Sequence, residues 1–375
     1  MSSLDPISDA PQEAPRAAAE VVHPSAMGPG PRAVAQVSLS PASRAWLRFR
    51  RNRLGYLALR LLGVLIFLSA AAPLISNEHP LLARYDGKLY VPILHNPPEL
   101  EFGGDFRTPT NWLDPFVRNQ FAKPGNWILF ALNHYSSNTI NFHSKIAHPA
   151  PPSAENWLGT DDRGRDVFAR LLYGFALGIA FAACLTILST LVGIAVGAIQ
   201  GFFGGWVDLG MQRFSEVWNA LPTLYLLIIL VAIFSPSILA LILLFALFGW
   251  MALADYVRAE FLRNRGLEFV KGARAMGCSN FKIIWRHILP NSLTPVITFL
   301  PFRMSEGLLA LTALDFLGLG VPPSFPSLGD LMRQGKDNLD AWWLSIPTMI
   351  VVVTTLLLLN FLGDAMRDAY DTRKS

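Results

Sequence analysis

Charge is scarce in this chain. Only 15% of its 375 residues are Asp, Glu, Lys or Arg, while 52% are apolar. Soluble domains carry roughly 25% charged residues, so a water-facing globule is excluded as the main architecture. Cysteine is nearly absent. Cys184 in an apolar run and Cys278 in a basic loop make neither a disulfide framework nor a metal cluster, and read as small apolar fillers. The seven histidines lack ligand spacing, so no metal site is expected. The chain has no Gly-x4-Gly-Lys-Ser/Thr phosphate loop and no positioned Ser/His/Asp set. No enzyme chemistry is visible, and no cofactor is expected in the chain itself. Internal repeats are also missing, which argues against a transporter built from two similar halves.

What the chain does have is long apolar runs. A helix needs about 20 apolar residues to cross a bilayer core, and six stretches qualify: Leu54 to Ile75, Tyr173 to Ile199, Ala220 to Phe234, Ile238 to Ala254, Ser292 to Leu314 and Trp342 to Leu362. The expected fold class is therefore an all-α polytopic membrane protein with six transmembrane helices. The third and fourth runs are short, with Ser235-Pro236-Ser237 as the turn of a membrane hairpin. Arg44, Arg48, Arg50, Arg51 and Arg53 crowd the entrance to the first run, so the N-terminus is expected in the cytoplasm. Six crossings return the C-terminus there, in agreement with Arg367, Arg373 and Lys374. The small residues near Ala72 resemble a signal-peptidase site, but 53 residues precede the first run, so it reads as an uncleaved anchor.

Residues 1–40 are rich in Ala, Pro and Ser and read as a disordered cytoplasmic tail. Residues 41–75 read as an interfacial helix, with Trp46 and Phe49 set among arginines, followed by the first span. Residues 76–170 form an extracytoplasmic insertion with 9 Lys/Arg against 10 Asp/Glu, expected to be an irregular lobe of hairpins and loops that includes a β-like run from Lys88 to Leu94. Residues 171–375 form a core with five spans. In it Trp206, Met211, Phe214 and Trp218 are spaced for an interfacial helix.

The loop from Arg258 to Pro290 falls on the cytoplasmic side and carries seven Lys/Arg against two Glu. Phe269, Ala273 and Met276 repeat at helical spacing before Gly277, which can cap the helix C-terminus. Ser279 can start a second helix, on which Phe281, Ile284, Trp285 and Ile288 share a face. Pro290 and Asn291 then end the unit. Three readings fit these features. The loop could rest on anionic lipid headgroups. It could be a helix-turn-helix nucleic-acid reader, but tethering to the membrane at both ends denies it a supporting helix and groove access, so no nucleic-acid partner is expected. Or it could dock a cytoplasmic partner through its apolar face, with its basic face on an acidic rim.

The text "GARAMG" with "HILP" nine residues later resembles the cytoplasmic EAA loop of permease subunits from ATP-binding cassette importers. Ala273, Gly277, Leu289 and Pro290 fit that motif, whereas Lys271 and Gly272 replace its opening Glu-Ala and His287 its usual Ile. "WLGTDDRGRDVFARLLYG" and "FLGLGVPPSFPSLGDLM" resemble two signatures of dipeptide and oligopeptide permeases, with Leu328 in place of a common Trp. "HPLLARYDGKLYVPIL", "EFGGDF" and "NTINF" are similar to the insertion of permeases whose importers take up oligopeptides and the peptide antibiotic microcin C. The resemblance runs from Arg44 to the C-terminus.

It implies the type I importer permease fold, in a bacterial inner membrane, with peptide import as the function. It also implies a second permease subunit, two ATP-binding domains that hold the ATP and Mg, and a periplasmic peptide-binding protein. The ATPase-coupling loop would then use Lys271, Ala273, Arg274, Gly277, Phe281, Trp285, His287, Leu289 and Pro290. Arg303 and Glu306, three apart on the fifth span, either form a self-satisfied pair or line the path of a peptide. Asp315, near the outer end of that span, is expected to face water, and Arg60 to snorkel from the first span. Permeation of another ligand, such as a nickel complex or a glycosylated peptide, stays open, as does a non-transport membrane sensor or scaffold.

Overall fold

The computed structural model describes residues 40–142, 146–233 and 237–371. The expected tail lies outside these apart from Ser40, as do Arg373, Lys374 and most of the expected hairpin turn. The chain opens with α1 (Pro41–Arg51) and α2 (Arg53–Ala70), separated by Asn52, whose side chain accepts from the Gly55 N–H at 3.0 Å and caps α2. Phe49 is buried against Ala365 and Ala369, and Trp46 stacks on it at 5.6 Å while staying half exposed. Arg60 folds back over the Tyr56 ring at 4.3 Å.

A short α3 (Ala72–Ile75) leads into the insertion. There β1 (Leu82–Tyr85) is the centre of an antiparallel sheet between β2 (Lys88–Tyr90) and β3 (Trp127–Leu129), with Ala83 opposite both Tyr90 and Ile128. Asp86 and Gly87, with φ of 47° and 77°, make the two-residue turn that matches strand twist. The β-like run expected to reach Leu94 stops at Tyr90, because the chain turns at Pro92, which has no N–H to give a ladder. Phe102, Trp112, Val117 and Phe121, with α4 (Pro115–Phe121), pack on Ala83 as a small aromatic core.

The remaining elements are helical: α5 (Val167–Phe203), α6 (Gly205–Asn219), α7 (Thr223–Ile233), α8 (Ile238–Gly249), α9 (Met251–Asn264), α10 (Glu268–Ala275), α11 (Asn280–Ile283), α12 (Leu289–Phe316), α13 (Leu328–Asp337) and α14 (Trp342–Tyr370). Among the described residues, four helical stretches are long and apolar enough to cross a membrane: α2, α5, Asn280–Phe316 and α14. The pair α8 and α9, bent by 44° at their junction, makes a fifth candidate. The expected third span is represented by α7, whose 11 residues extend about 16 Å, short of a bilayer core.

Helix α5 is the hub and touches α2, α8, α9, α12, α13 and α14. Its approach to α9 depends on Gly193, Gly197 and Gly201, one turn apart. A methyl on any of them would run into Trp250, Ala254 or Phe261 of the facing helix.

Candidate coupling loop, membrane cavity and outer charge network

The basic loop folds as two short helical pieces around a left-handed glycine. Helix α10 closes with the Cys278 N–H donating to Ala273 O at 3.1 Å and the Gly277 N–H to Arg274 O at 3.0 Å. This is the double closure that needs positive φ, and Gly277 has φ 77°. Ser279 then caps α11 by accepting from the Lys282 N–H at 3.4 Å. The unit does not end at Pro290. A π turn over Ile284–Ile288 joins α11 to α12 in one continuous helix, with Pro290 in the first turn of α12. Proline cannot donate to the carbonyl four residues back and its ring collides with it. The wider π turn shifts that register and lets the helix pass.

The expected apolar faces need correcting. Of those residues Ala273 and Ile288 are buried, joined by Val270, Ile283 and Leu289 in a core shared with α5, α9 and α12. Phe269, Met276, Phe281 and Trp285 point outward, Met276 at 79% and Phe281 at 72% exposure. The short helices therefore carry two apolar stripes, one that anchors them to the bundle and one left open. Beside the open stripe, Lys271 pairs with Glu268 at 2.9 Å and Arg274 lies 6.0 Å from the Phe202 ring centroid. His287 is half-buried, its carbonyl accepting from Asn291 at 2.8 Å.

Within the bundle, Arg303 Nη1 meets Glu306 Oε2 at 2.6 Å, and Nη2 donates to the Gly249 carbonyl at the bend between α8 and α9. The arginine thus satisfies a carbonyl released where helical bonding is interrupted. The pair lines a cavity of about 340 Å³ with Thr186, Ser189 and Asn219, in which the Thr186 and Ser189 hydroxyls make no hydrogen bond among the described residues. Glu306 keeps 65% of its side chain exposed, so the pair is satisfied and still open to the cavity. Asp315 does not face water as expected. It is buried and accepts from Val321 N–H at 2.7 Å and Ser327 O–H at 2.6 Å, which ties α12 to the outer loop before α13.

Sequence reasoning missed a buried charge network at the N-terminal end of α5. Asp161 accepts from Arg165 Nε at 2.7 Å and sits 3.4 Å from Arg170, which reaches Asp330 on α13 at 3.4 Å. Asp166 caps α5 through the Ala169 N–H and accepts from Asn133 and Asn156, all at 2.8 Å. The Tyr173 hydroxyl donates to Ser76 O at 2.9 Å. Burial pushes the Asp166 carboxyl up, against the pull of its donors. Burial also opposes the charge on Asp330, but the Arg333 bond, the Arg170 charge and the Gln334 bond outweigh it and hold that carboxyl below the usual range. One signal was available: Asp161, Asp162, Arg163, Arg165, Asp166 and Arg170 fall within ten residues at the start of an apolar run.

Comparison with known proteins assigns this arrangement. Residues 193–375 match the family described as binding-protein-dependent transport system inner membrane component, and residues 40–98 match the N-terminal TM domain of oligopeptide transport permease C. The inner membrane ABC transporter permease protein YejE of Escherichia coli K12 is 46% identical over 90% of this chain and 99% of its own length. The peptidoglycan transport system permease protein YejE of Agrobacterium fabrum is 43% identical over 88% of this chain and 93% of its own. The dipeptide transport system permease protein DppC of Bacillus subtilis is 30% identical over 68% and 83%. Among solved structures, an inward-facing MetNI methionine ABC transporter aligns with 54% of this chain and 97% of its own, at 17% identity and a TM-score of 0.45. The chain belongs to the permease family of ABC transporters and is a transport component.

Proposed function

We propose that this chain carries peptides, microcin C-like peptides among them, into the cytoplasm as one permease of a heteromeric importer in a bacterial inner membrane. Both termini and the loop around Gly277 lie in the cytoplasm in this reading, and residues 76–170 lie in the periplasm. The observation that carries it is the open apolar stripe of Met276, Phe281 and Trp285 beside Lys271 and Arg274, on a loop whose opposite stripe is locked into the bundle. An exposed aromatic stripe rimmed by charge fits the apolar groove and acidic rim of a partner protein.

The partners are a second permease, two ATP-binding domains that hold ATP and Mg, and a periplasmic peptide-binding protein. Closure of the ATP-binding dimer moves the docked loop. Because α11 continues without a break into α12, that displacement passes along the helix to Arg303 and Glu306. The cavity beside them, completed by the second permease, offers opposite charges to the two ends of a peptide. Coupling requires the ATPase to bind the inward and outward states with different affinity.

The test is recovery of the tagged chain from its native membrane in mild detergent, followed by mass spectrometry. An ATP-binding subunit and a second permease should copurify with the native chain and be lost with Phe281→Ala/Trp285→Ala. Recovery of the native chain without them, from membranes in which they are expressed, refutes the docking reading.

A further inference from the structure

The insertion holds a concavity of about 760 Å³ between its aromatic lobe and the segment tying the lobe to α5. Small-molecule sites span roughly 300–1,000 Å³. One wall is the start of α4 with Arg118 and Asn119; the other carries Glu78, Asn138 and Glu155. Both walls rest on buried anchors. Thr110 donates to Pro97 O at 2.7 Å and Trp112 to Asn96 at 2.8 Å on the lobe side, and Asn141 donates to Asn156 at 2.8 Å on the other. The cleft therefore has a fixed frame.

Its acids and its arginine do not pair with one another among the described residues. Arg118 and Glu155 line the same cleft, and among the described residues neither forms an ion pair. Glu78 accepts from the Thr139 hydroxyl, which holds that acid in place, and His79 lies 4.0 Å from its other oxygen. The Asn119 and Asn138 side-chain amides likewise make no hydrogen bond among the described residues. A concavity lined by the Arg118 guanidinium, which lies over the Phe130 ring at 5.7 Å, by two carboxylates and by two side-chain amides is complementary to a molecule with a carboxylate, an ammonium and peptide groups between them.

We infer that this cleft is a binding site for short zwitterionic peptides, with the peptide carboxylate on Arg118, its ammonium on Glu155 and Glu78, and its backbone amides on Asn119 and Asn138. The site lies outside the membrane-spanning helices and is distinct from the Arg303 and Glu306 cavity. Its choice of peptide as ligand rests on the function proposed above, but its binding chemistry is tested independently of transport.

The experiment is calorimetric titration of the full chain in lipid nanodiscs with trialanine, N-acetyl-trialanine and trialanine amide. Trialanine should bind saturably, and blocking either end should weaken binding roughly tenfold or more, as the loss of a charge-assisted bond does. Arg118→Gln should weaken trialanine binding but not that of the amide. Glu155→Gln should weaken trialanine binding but not that of the acetylated peptide. Absence of saturable binding to the native chain, equal affinity for all three peptides, or sensitivity to Glu306→Gln in place of the cleft variants would overturn the inference. A chain that binds as described yet supports no peptide uptake would instead leave the site standing and sink the transport reading.

Discussion

Gly277 sits where the two pieces of the basic loop meet, and its substitution separates backbone geometry from side-chain size. Its φ of 77° is left-handed, and a Cβ there would meet nothing within 4 Å, so an alanine pays only for the conformation. That cost is about 1–2 kcal/mol, a factor of roughly 5–30 in population. Asparagine tolerates the same region and should cost less. Proline fixes φ near −65° and removes the N–H that donates to Arg274 O, for about 3 kcal/mol or more. Val270 and Ala273 on one side and Ile283 and Ile288 on the other are buried in the bundle, so the strain falls on the angle between the pieces and not on membrane insertion. Copurification of the ATPase subunit, and ATP-driven uptake in proteoliposomes with the partner subunits, should therefore fall in the order Gly, Asn, Ala, Pro at constant membrane abundance. Native uptake by Gly277→Pro, or Asn worse than Ala, would refute the reasoning.

Arg170→Met removes the cation that links Asp161 to Asp330, leaving Asp161 with Arg165 and Asp330 with Arg333, and should destabilise the N-terminal end of α5 by about 1.5–3 kcal/mol; an unchanged aggregation temperature of the detergent-solubilised chain would contradict this. Arg274→Glu reverses charge beside the open stripe and should abolish ATP-coupled uptake while leaving the amount of inserted chain as in the native protein, which quantitative blotting checks. Phe281→Ala/Trp285→Ala removes exposed rings, so its melting temperature should match the native one while ATPase recovery is lost. Asp208 gives a pH dependence with a definite sign. The bond from Arg258, at 2.5 Å, holds its carboxyl below the ordinary value. Its contribution to stability is present above that ordinary value and lost as pH falls through the depressed one. Asp208→Asn should flatten the acid side of a stability profile, and an unchanged profile would show the pair to be inert.

Much of the candidate site was legible because its chemistry is local. A glycine before a serine at the end of one amphipathic run and the start of another specifies a left-handed closure and a cap, and both appear at Gly277 and Ser279. Arg303 and Glu306 are one turn apart, so their pairing follows from helix geometry alone. The faces of α10 and α11 were misread because both sides carry large apolar residues, and hydrophobic periodicity does not say which side meets the bundle. Asp315 was misplaced for a related reason: its two donors, Val321 and Ser327, lie beyond the helix end, and their approach depends on how the outer loop folds back.

Composition and local pattern alone establish the membrane class, the long apolar helices and the breaks at Gly277 and Ser279. Each of these sums over neighbouring residues and needs no knowledge of the rest of the chain. Only the tertiary structure decided that three glycines of α5 meet α9, that Arg303 reaches the Gly249 carbonyl 54 positions away, and that Arg170 reaches Asp330 across 160 positions. It also decided that Arg118 and Glu155 share one cleft without pairing. Such contacts depend on helix packing, in which a few ångströms of approach select one neighbour from many, and no local pattern encodes that distance.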